Sequence, residues 1–274
     1  MSSDLMRIFS NTQAMQSMHS LSKISDKMAD HQLRLATGKK INSAADDPAG
    51  YQLARSLETR RRGLDAALSN VSNAKNVLNV AEGGYQNVMD ILQTVKEKAT
   101  QAADYSLNST QRSAINDQVS ALVAEIDDIV AETTFNGDSL IDGAYSGAFQ
   151  TGEGGNDQLT ITLNDADSAA LSINSIDLSS ANGASSAITS VSSAIDTLAS
   201  RIQDVGEYKV RLSSKENTLA VASTNTEAVR SSVEDADFAR EQMEVMKLQI
   251  LQQTAVSSFA QANAAPQVVL SLFR

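Results

Sequence analysis

The chain has 274 residues, a formal net charge of −11, 42% hydrophobic and 4% aromatic residues, no tryptophan and no cysteine. That length fits one or two domains, and the acidic balance repels phosphate backbones, so nucleic acid is not expected as a partner. No disulfide or thiolate site can form, and no run of about 18 apolar residues exists, so membrane insertion is not expected.

The opening Met1-Ser2-Ser3-Asp4-Leu5-Met6-Arg7 has neither the continuous apolar core nor the cleavage site of a secretory signal. If the protein leaves the cell, its route does not read such a signal. Residues 4 to 36 carry a helical stripe of Leu5, Ile8, Met15, Met18, Leu21, Ile24, Met28 and Leu35. Methionine on such a face suits contacts that tolerate more than one packing. His19 and His31 are twelve apart, without Cys or His-x-x-x-His spacing, which makes a poor metal site.

Thr37-Gly38-Lys39-Lys40 reads as a helix stop, with Gly38 past the end. Asp47 followed by Pro48 is a helix start, aspartate as N-cap and proline in the first turn. The adjacent carboxylates of Asp46 and Asp47 are read as caps rather than as an acid–base pair. Beyond them Leu57, Leu64, Leu68, Val71, Leu78, Ala81, Tyr85, Val88, Leu92, Val95, Ala99 and Ala102 recur in sevens, threes and fours. This is a heptad stripe, in phase except for one slip between Val71 and Ala81. A helix of that length spans roughly 70 Å at about 1.5 Å per residue, so it needs partners of matching length.

Tyr105 to Asn108 breaks the long helix, and Ser109 or Thr110 caps a return helix carrying Ile115, Val119, Leu122, Ile126 and Ile129. Asn70-Val71-Ser72 and Asn108-Ser109-Thr110 fit the N-glycosylation acceptor pattern, which arises often by chance. Thr134-Phe135-Asn136-Gly137 is a turn. From Gly143 to Gly183 glycine, serine, asparagine and aspartate are dense; Leu159 to Leu163 and Leu171 to Ile173 alternate with period two, which predicts a short hairpin. The glycines here lack phosphate-loop spacing.

Helical heptads resume at Ile188 and continue through Val191, Ile195, Leu198, Ile202, Val205, Leu212, Leu219, Thr226 and Val229. Asp235 and Asp237 mark a restart, followed by Val245, Leu248, Ala255, Phe259 and Ala262, widened by Ile250, Leu251 and Val256. Pro266 is expected to kink or end this last helix. The order is palindromic: helix, long helix, return helix, hairpin, long helix, helix. The fold class is therefore mainly α, a long antiparallel coiled-coil-like bundle of N- and C-terminal halves with a small central β-hairpin at about 145–180. Its seam is Leu57, Leu64, Leu68, Leu78, Val88, Leu92, Val95, Ile115, Val119, Leu122, Ile126, Ile195, Leu198, Ile202 and Leu212. Apolar terminal helices point to association, because exposed patches of that size are association sites and repeated heterologous contacts give open filaments.

Leu35-Ala36-Thr37-Gly38-Lys39-Lys40-Ile41-Asn42-Ser43-Ala44-Ala45-Asp46-Asp47-Pro48-Ala49-Gly50 resembles the N-terminal signature of bacterial flagellins. Ala81-Glu82-Gly83 and Thr134-Phe135-Asn136-Gly137 are similar to two further landmarks. So are Val233 to Asp237, Gln249 to Gln253 and Ala260 to Leu272 at the other end. The opening departs from the family pattern: only Asn11-Thr12 echoes its usual Ile-Asn-Thr-Asn.

The resemblance implies a minimal flagellin, without large outer domains, that polymerises with many copies of itself into the extracellular filament. Residues 1–40 and 236–274 would form its inner core, through the first stripe together with Val245, Leu248, Leu251, Phe259, Leu270 and Leu272. Residues 41–235 would form the surrounding layer. It also implies type III export without a cleaved signal, and an export chaperone, filament cap and hook-junction proteins as partners. An innate-receptor patch of the family maps onto Gln93, Thr94, Lys98 and Gln118. Thr94 and Gln118 replace an Arg and a Glu there, and Lys98 replaces a Leu, so recognition is expected to be weak or absent. A hook–filament junction protein shares the Asp-Asp-Pro signature, but the Ala260–Phe273 ending favours flagellin. A coiled-coil scaffold would explain the heptads and not the apolar tail. No nucleophile–base pair, metal cluster or phosphate loop supports an enzyme, and no cofactor is expected.

Overall fold

A computed structural model describes residues 11–272, with side chains to 264. The chain order is α1 (Thr12–Thr37), α2 (Pro48–Ala102), α3 (Ser109–Glu132), β1 (Thr134–Phe135), β2 (Asp138–Ser139), β3 (Ser146–Gln150), β4 (Gln158–Thr162), α4 (Ala181–Glu234) and α5 (Phe238–Leu272). It divides into two compact units. One joins Met1–Thr59 with Thr226–Arg274, and the other is Arg60–Asn225. The palindrome of helices expected from the periodicity is present.

In the terminal unit, α1 starts where the Asn11 side chain accepts from the Ala14 N–H at 3.0 Å. It ends where Gly38, at φ +72°, returns its N–H to the Arg34 carbonyl at 2.8 Å. Asp47 Oδ1 accepts from the Gly50 N–H at 3.0 Å, so the start of α2 is capped. Asp237 Oδ1 opens α5 by accepting from the Ala239 N–H at 2.9 Å and the Arg240 N–H at 3.2 Å. α5 neither stops nor restarts at Pro266; its helix runs on to Leu272 and forgoes one backbone bond there.

In the central unit the buried positions of α2 are Leu64, Ala67, Val71, Ala74, Leu78, Ala81, Tyr85, Val88, Leu92, Val95, Ala99 and Ala102, with Val77 beside them. The steps alternate three and four without interruption. The apparent slip after Val71 vanishes because Ala67 and Ala74 occupy stripe positions and Leu68 sits at the rim. α4 repeats the pattern with Ala184, Ala187, Val191, Ala194, Leu198, Val205, Leu212 and Leu219. It begins before Ile188, where Ser180 Oγ accepts from the Gly183 N–H at 3.0 Å. α3 lays Ile115, Val119, Val123, Ile126 and Val130 into the same core. Its cap is Asn108 rather than Ser109 or Thr110: Asn108 and Gln111 exchange side-chain and backbone bonds in a capping box.

The turn at Asn136-Gly137 closes a two-residue hairpin of β1 and β2, both turn residues having positive φ (55° and 94°). The larger hairpin differs from expectation. β4 pairs antiparallel with β3, Phe149 opposite Leu159 and Gly147 opposite Ile161, across the glycine-rich loop. Leu171 to Ile173 is no strand. Ser172 has φ +56°, and the Leu171 and Ile173 N–H groups bond to the Asp167 and Ser168 carbonyls. Those bonds leave no ladder to form; the alternation there records two apolar side chains, Leu171 and Ile173, buried from an irregular turn.

Candidate assembly surface

α1 and α5 run antiparallel within the terminal unit. Asn11 Nδ2 donates to the Ala262 carbonyl at 2.8 Å at one end of the pair. Towards the other end His31 Nδ1 meets Glu241 Oε2, and Arg34 lies 3.8 Å from the same carboxylate. Between these points Ala14, Val245, Leu248 and Ala262 are buried, and Leu21, Ile24, Met28, Leu35 and Phe259 are half-buried. Met15, Met18, Leu251, Ile250 and Val256 stay outside the pairing, with exposures of 69, 63, 42, 65 and 50%. The expected stripe of α1 is therefore split: its C-terminal part faces α5, and Met15 and Met18 face solvent. Leu5 and Ile8 lie outside the described residues, and Leu270 and Leu272 lie beyond the last described side chain.

The exposed end of the pair is also free of charge. No Asp, Glu, Lys, Arg or His occurs from Leu248 to Phe273, and His19 is the sole titratable side chain from Thr12 to Ser22. An apolar surface without ionised groups can be covered with no charge to desolvate.

A polar clamp joins the two chain segments at the other end of α1. The Lys40 N–H donates to the Glu234 carbonyl at 2.7 Å and the Ala236 N–H to the Gly38 carbonyl at 2.9 Å. Lys39 Nζ donates to Glu234 Oε1 and Arg230 Nη1 to Glu234 Oε2, each at 2.5 Å, while Arg230 Nη2 reaches Glu227 Oε1 at 2.6 Å. Burial works to raise the Glu234 pKa, but the Lys39 and Arg230 cations outweigh it and hold the carboxyl below its ordinary value. The Glu227 hydrogen bond leads in raising Arg230 further. Asp46 Oδ2, accepting from the N–H groups of Ser43 at 2.8 Å and Asn42 at 2.9 Å, is likewise lowered.

In the central unit Leu64, Leu78, Val88, Leu92, Val95, Ile115, Val119, Ile126, Leu198 and Leu212 are buried in one core. Leu68, Leu122, Ile195 and Ile202 pack on its rim, half-buried. Leu57 is half-buried and belongs to the terminal unit, and Val229 is 50% exposed. The heptad reading passed over Ala67, Ala74, Ala184, Ala187 and Ala194, which fill close-approach positions, and Leu140, Ile141 and Leu178, which enter the core from loops. Gln93, Thr94 and Gln118 are exposed and Lys98 is half-buried; the Thr94 hydroxyl donates to the Asp90 carbonyl at 3.0 Å.

Residues 8–146 match the bacterial flagellin N-terminal helical region, and residues 188–273 match the bacterial flagellin C-terminal helical region. The chain belongs to the bacterial flagellin family. It is 31% identical to the flagellin of Bacillus subtilis (strain 168), over 98% of this chain and 100% of that one. It is 32% identical to the flagellar filament 33 kDa core protein of Treponema phagedenis, over 96% and 98%. A solved chain bearing the name flagellar hook-associated protein, from Vibrio parahaemolyticus, shares the fold over 69% of this chain and 100% of its own, at TM-score 0.59 and 13% identity.

This flagellin is a structural subunit of the flagellar filament and not an enzyme. The junction and scaffold alternatives are not favoured: the matches cover both halves of the chain and the relatives named are flagellins. Among the described residues no group of three or more His, Asp or Glu could hold a metal ion, and no helix is long and apolar enough to cross a membrane.

Proposed function

We propose that this flagellin polymerises through its terminal helices. Residues 1–40 and 236–274 supply the inner core of the filament, and 41–235 the layer around it. The observation that carries this reading is the charge-free, apolar end of the α1–α5 pair, with Ile250, Leu251, Val256, Met15 and Met18 exposed in the single chain. Neighbouring copies cover these side chains. Burying one Leu-sized group contributes about 1.5–3 kcal/mol, so a few such contacts per subunit offset a net charge of −11. The product is a filament outside the cell that serves swimming. Export precedes assembly. A chaperone shields α5 until then, and the filament cap and hook-junction proteins meet the same apolar ends. The surface at Gln93, Thr94, Lys98 and Gln118 gives weak innate-receptor recognition, because it lacks the charge-assisted Arg and Glu contacts.

The test uses the exposed positions, since Leu248 is buried against α1 and Leu248→Asp would also loosen the pair. Ile250→Asp and Leu251→Asp are expected to leave denaturant unfolding of the monomer unchanged and to abolish seeded elongation, followed by sedimentation and negative-stain imaging. Phe259→Asp should block assembly as well. Normal filaments from the Ile250 and Leu251 variants would defeat the proposal.

A further inference from the structure

Of the eight methionines, Met89 is the single one outside 1–28 and 243–246. Met89 packs half-buried on the central core, whereas Met15, Met18, Met243 and Met246 are 69, 63, 60 and 48% exposed on α1 and α5. The chain has no cysteine, so among the described residues these four thioethers are the exposed sulfurs. Methionine is adaptable at a contact, and it is also the apolar residue that a peroxide converts to a polar one.

We propose that Met15, Met18, Met243 and Met246 form an oxidation-sensitive modification site that closes the subunit to assembly while it is free. Hydrogen peroxide is the reactant. The thioether sulfur attacks one peroxide oxygen; the S–O bond forms as the O–O bond breaks. The departing hydroxide takes the proton from the new S–OH, giving methionine sulfoxide and water. Sulfur loses two electrons and the peroxide gains them. The sulfoxide oxygen is a strong hydrogen-bond acceptor where the thioether was apolar, so covering it with the apolar side chains of a neighbouring copy leaves a buried polar group unmatched. No Asp or Glu must be neutralised and no backbone bond broken, so the helices keep their fold. Reduction of the sulfoxide reopens the site. In the polymer the same sulfurs lie under neighbouring copies and are shielded, so the susceptible species is the unassembled subunit. This rests on the proposed assembly through α1 and α5.

The experiment treats monomer and preformed filaments with hydrogen peroxide and maps oxidation by peptide mass spectrometry. Seeded elongation and circular dichroism are then measured on the full chain. In the monomer the four exposed methionines should oxidise several-fold faster than Met89, the helical signal should hold, and the critical concentration should rise at least about tenfold. Filaments should show several-fold slower oxidation at the four sites. Treatment with methionine sulfoxide reductases should restore elongation. A variant with all four changed to Leu should elongate equally before and after peroxide.

Unchanged elongation of an oxidised monomer would overturn the inference, as would equal oxidation of monomer and filament, or failure of reduction to restore assembly. Should the four-Leu variant not polymerise, the reductase arm decides alone. Untreated wild-type chain separates the two readings: if it does not polymerise, the assembly proposal itself fails.

Discussion

Glu234 binds two cations with one carboxylate that is only 10% exposed, and it does so at the backbone crossing between Lys39 and Asp235. Its folded pKa is lowered, so the unfolded chain takes up the proton first as pH falls. The clamp therefore contributes its full stability above the ordinary glutamate range and loses it as pH falls through the lower folded value. Glu234→Gln is expected to cost the terminal unit about 1–2 kcal/mol at neutral pH, discounted for the 39% exposure of Lys39. Urea unfolding of both proteins at a series of pH values checks this; the difference should shrink below the carboxylate range. A gap that widened in acid would mean the ion pairs do not stabilise the crossing. In the central unit Tyr85 is fully buried and donates its hydroxyl to the Asn164 carbonyl at 2.5 Å, and burial pushes its phenol well above the ordinary value. Such a residue joins helix to loop, which an apolar stripe reading cannot foresee.

α2 depends on an unbroken three–four alternation, and α4 on the same alternation to Leu198 and steps of seven beyond it; in both, the small positions matter as much as the large ones. Alanine at 67, 74, 184, 187 and 194 lets backbones approach, and Leu64, Leu78, Leu92, Leu198 and Leu212 fill the remaining space. Leu92→Ala should cost about 2–5 kcal/mol by leaving a cavity. Leu68→Ala at the half-buried rim should cost markedly less. Chemical denaturation of the two variants side by side tests the assignment; equal losses would mean that the stripe is misphased. The heptad period was legible because it depends on neighbours three and four residues away. The alanines were not, because only the facing helix distinguishes a small seam residue from a small surface one.

At the scale of the molecule, the core cluster runs from Leu64 to Leu219 and lies wholly within the central unit. Removal of residues 1–36 and 235–274 should therefore leave a cooperatively unfolding monomer that forms no filaments, judged by sedimentation and thermal melting. Polymerisation of the truncated chain would move the assembly surface elsewhere.

The order of helices, the stop at Gly38, the break before Asn108 and the cap at Asp47 were readable in advance, because caps and periodicity are short-range chemistry. The family signature was readable for the same reason, being local strings of residues. Three features needed the folded chain. β4 takes β3 rather than Leu171 to Ile173 as its partner. Leu248 faces inward while Ile250 and Leu251 face out. The methionines of α1 divide between covered and exposed. Each depends on which distant segment arrives to cover a side chain, and that is a property of three-dimensional packing, invisible to a pattern of neighbours along the chain.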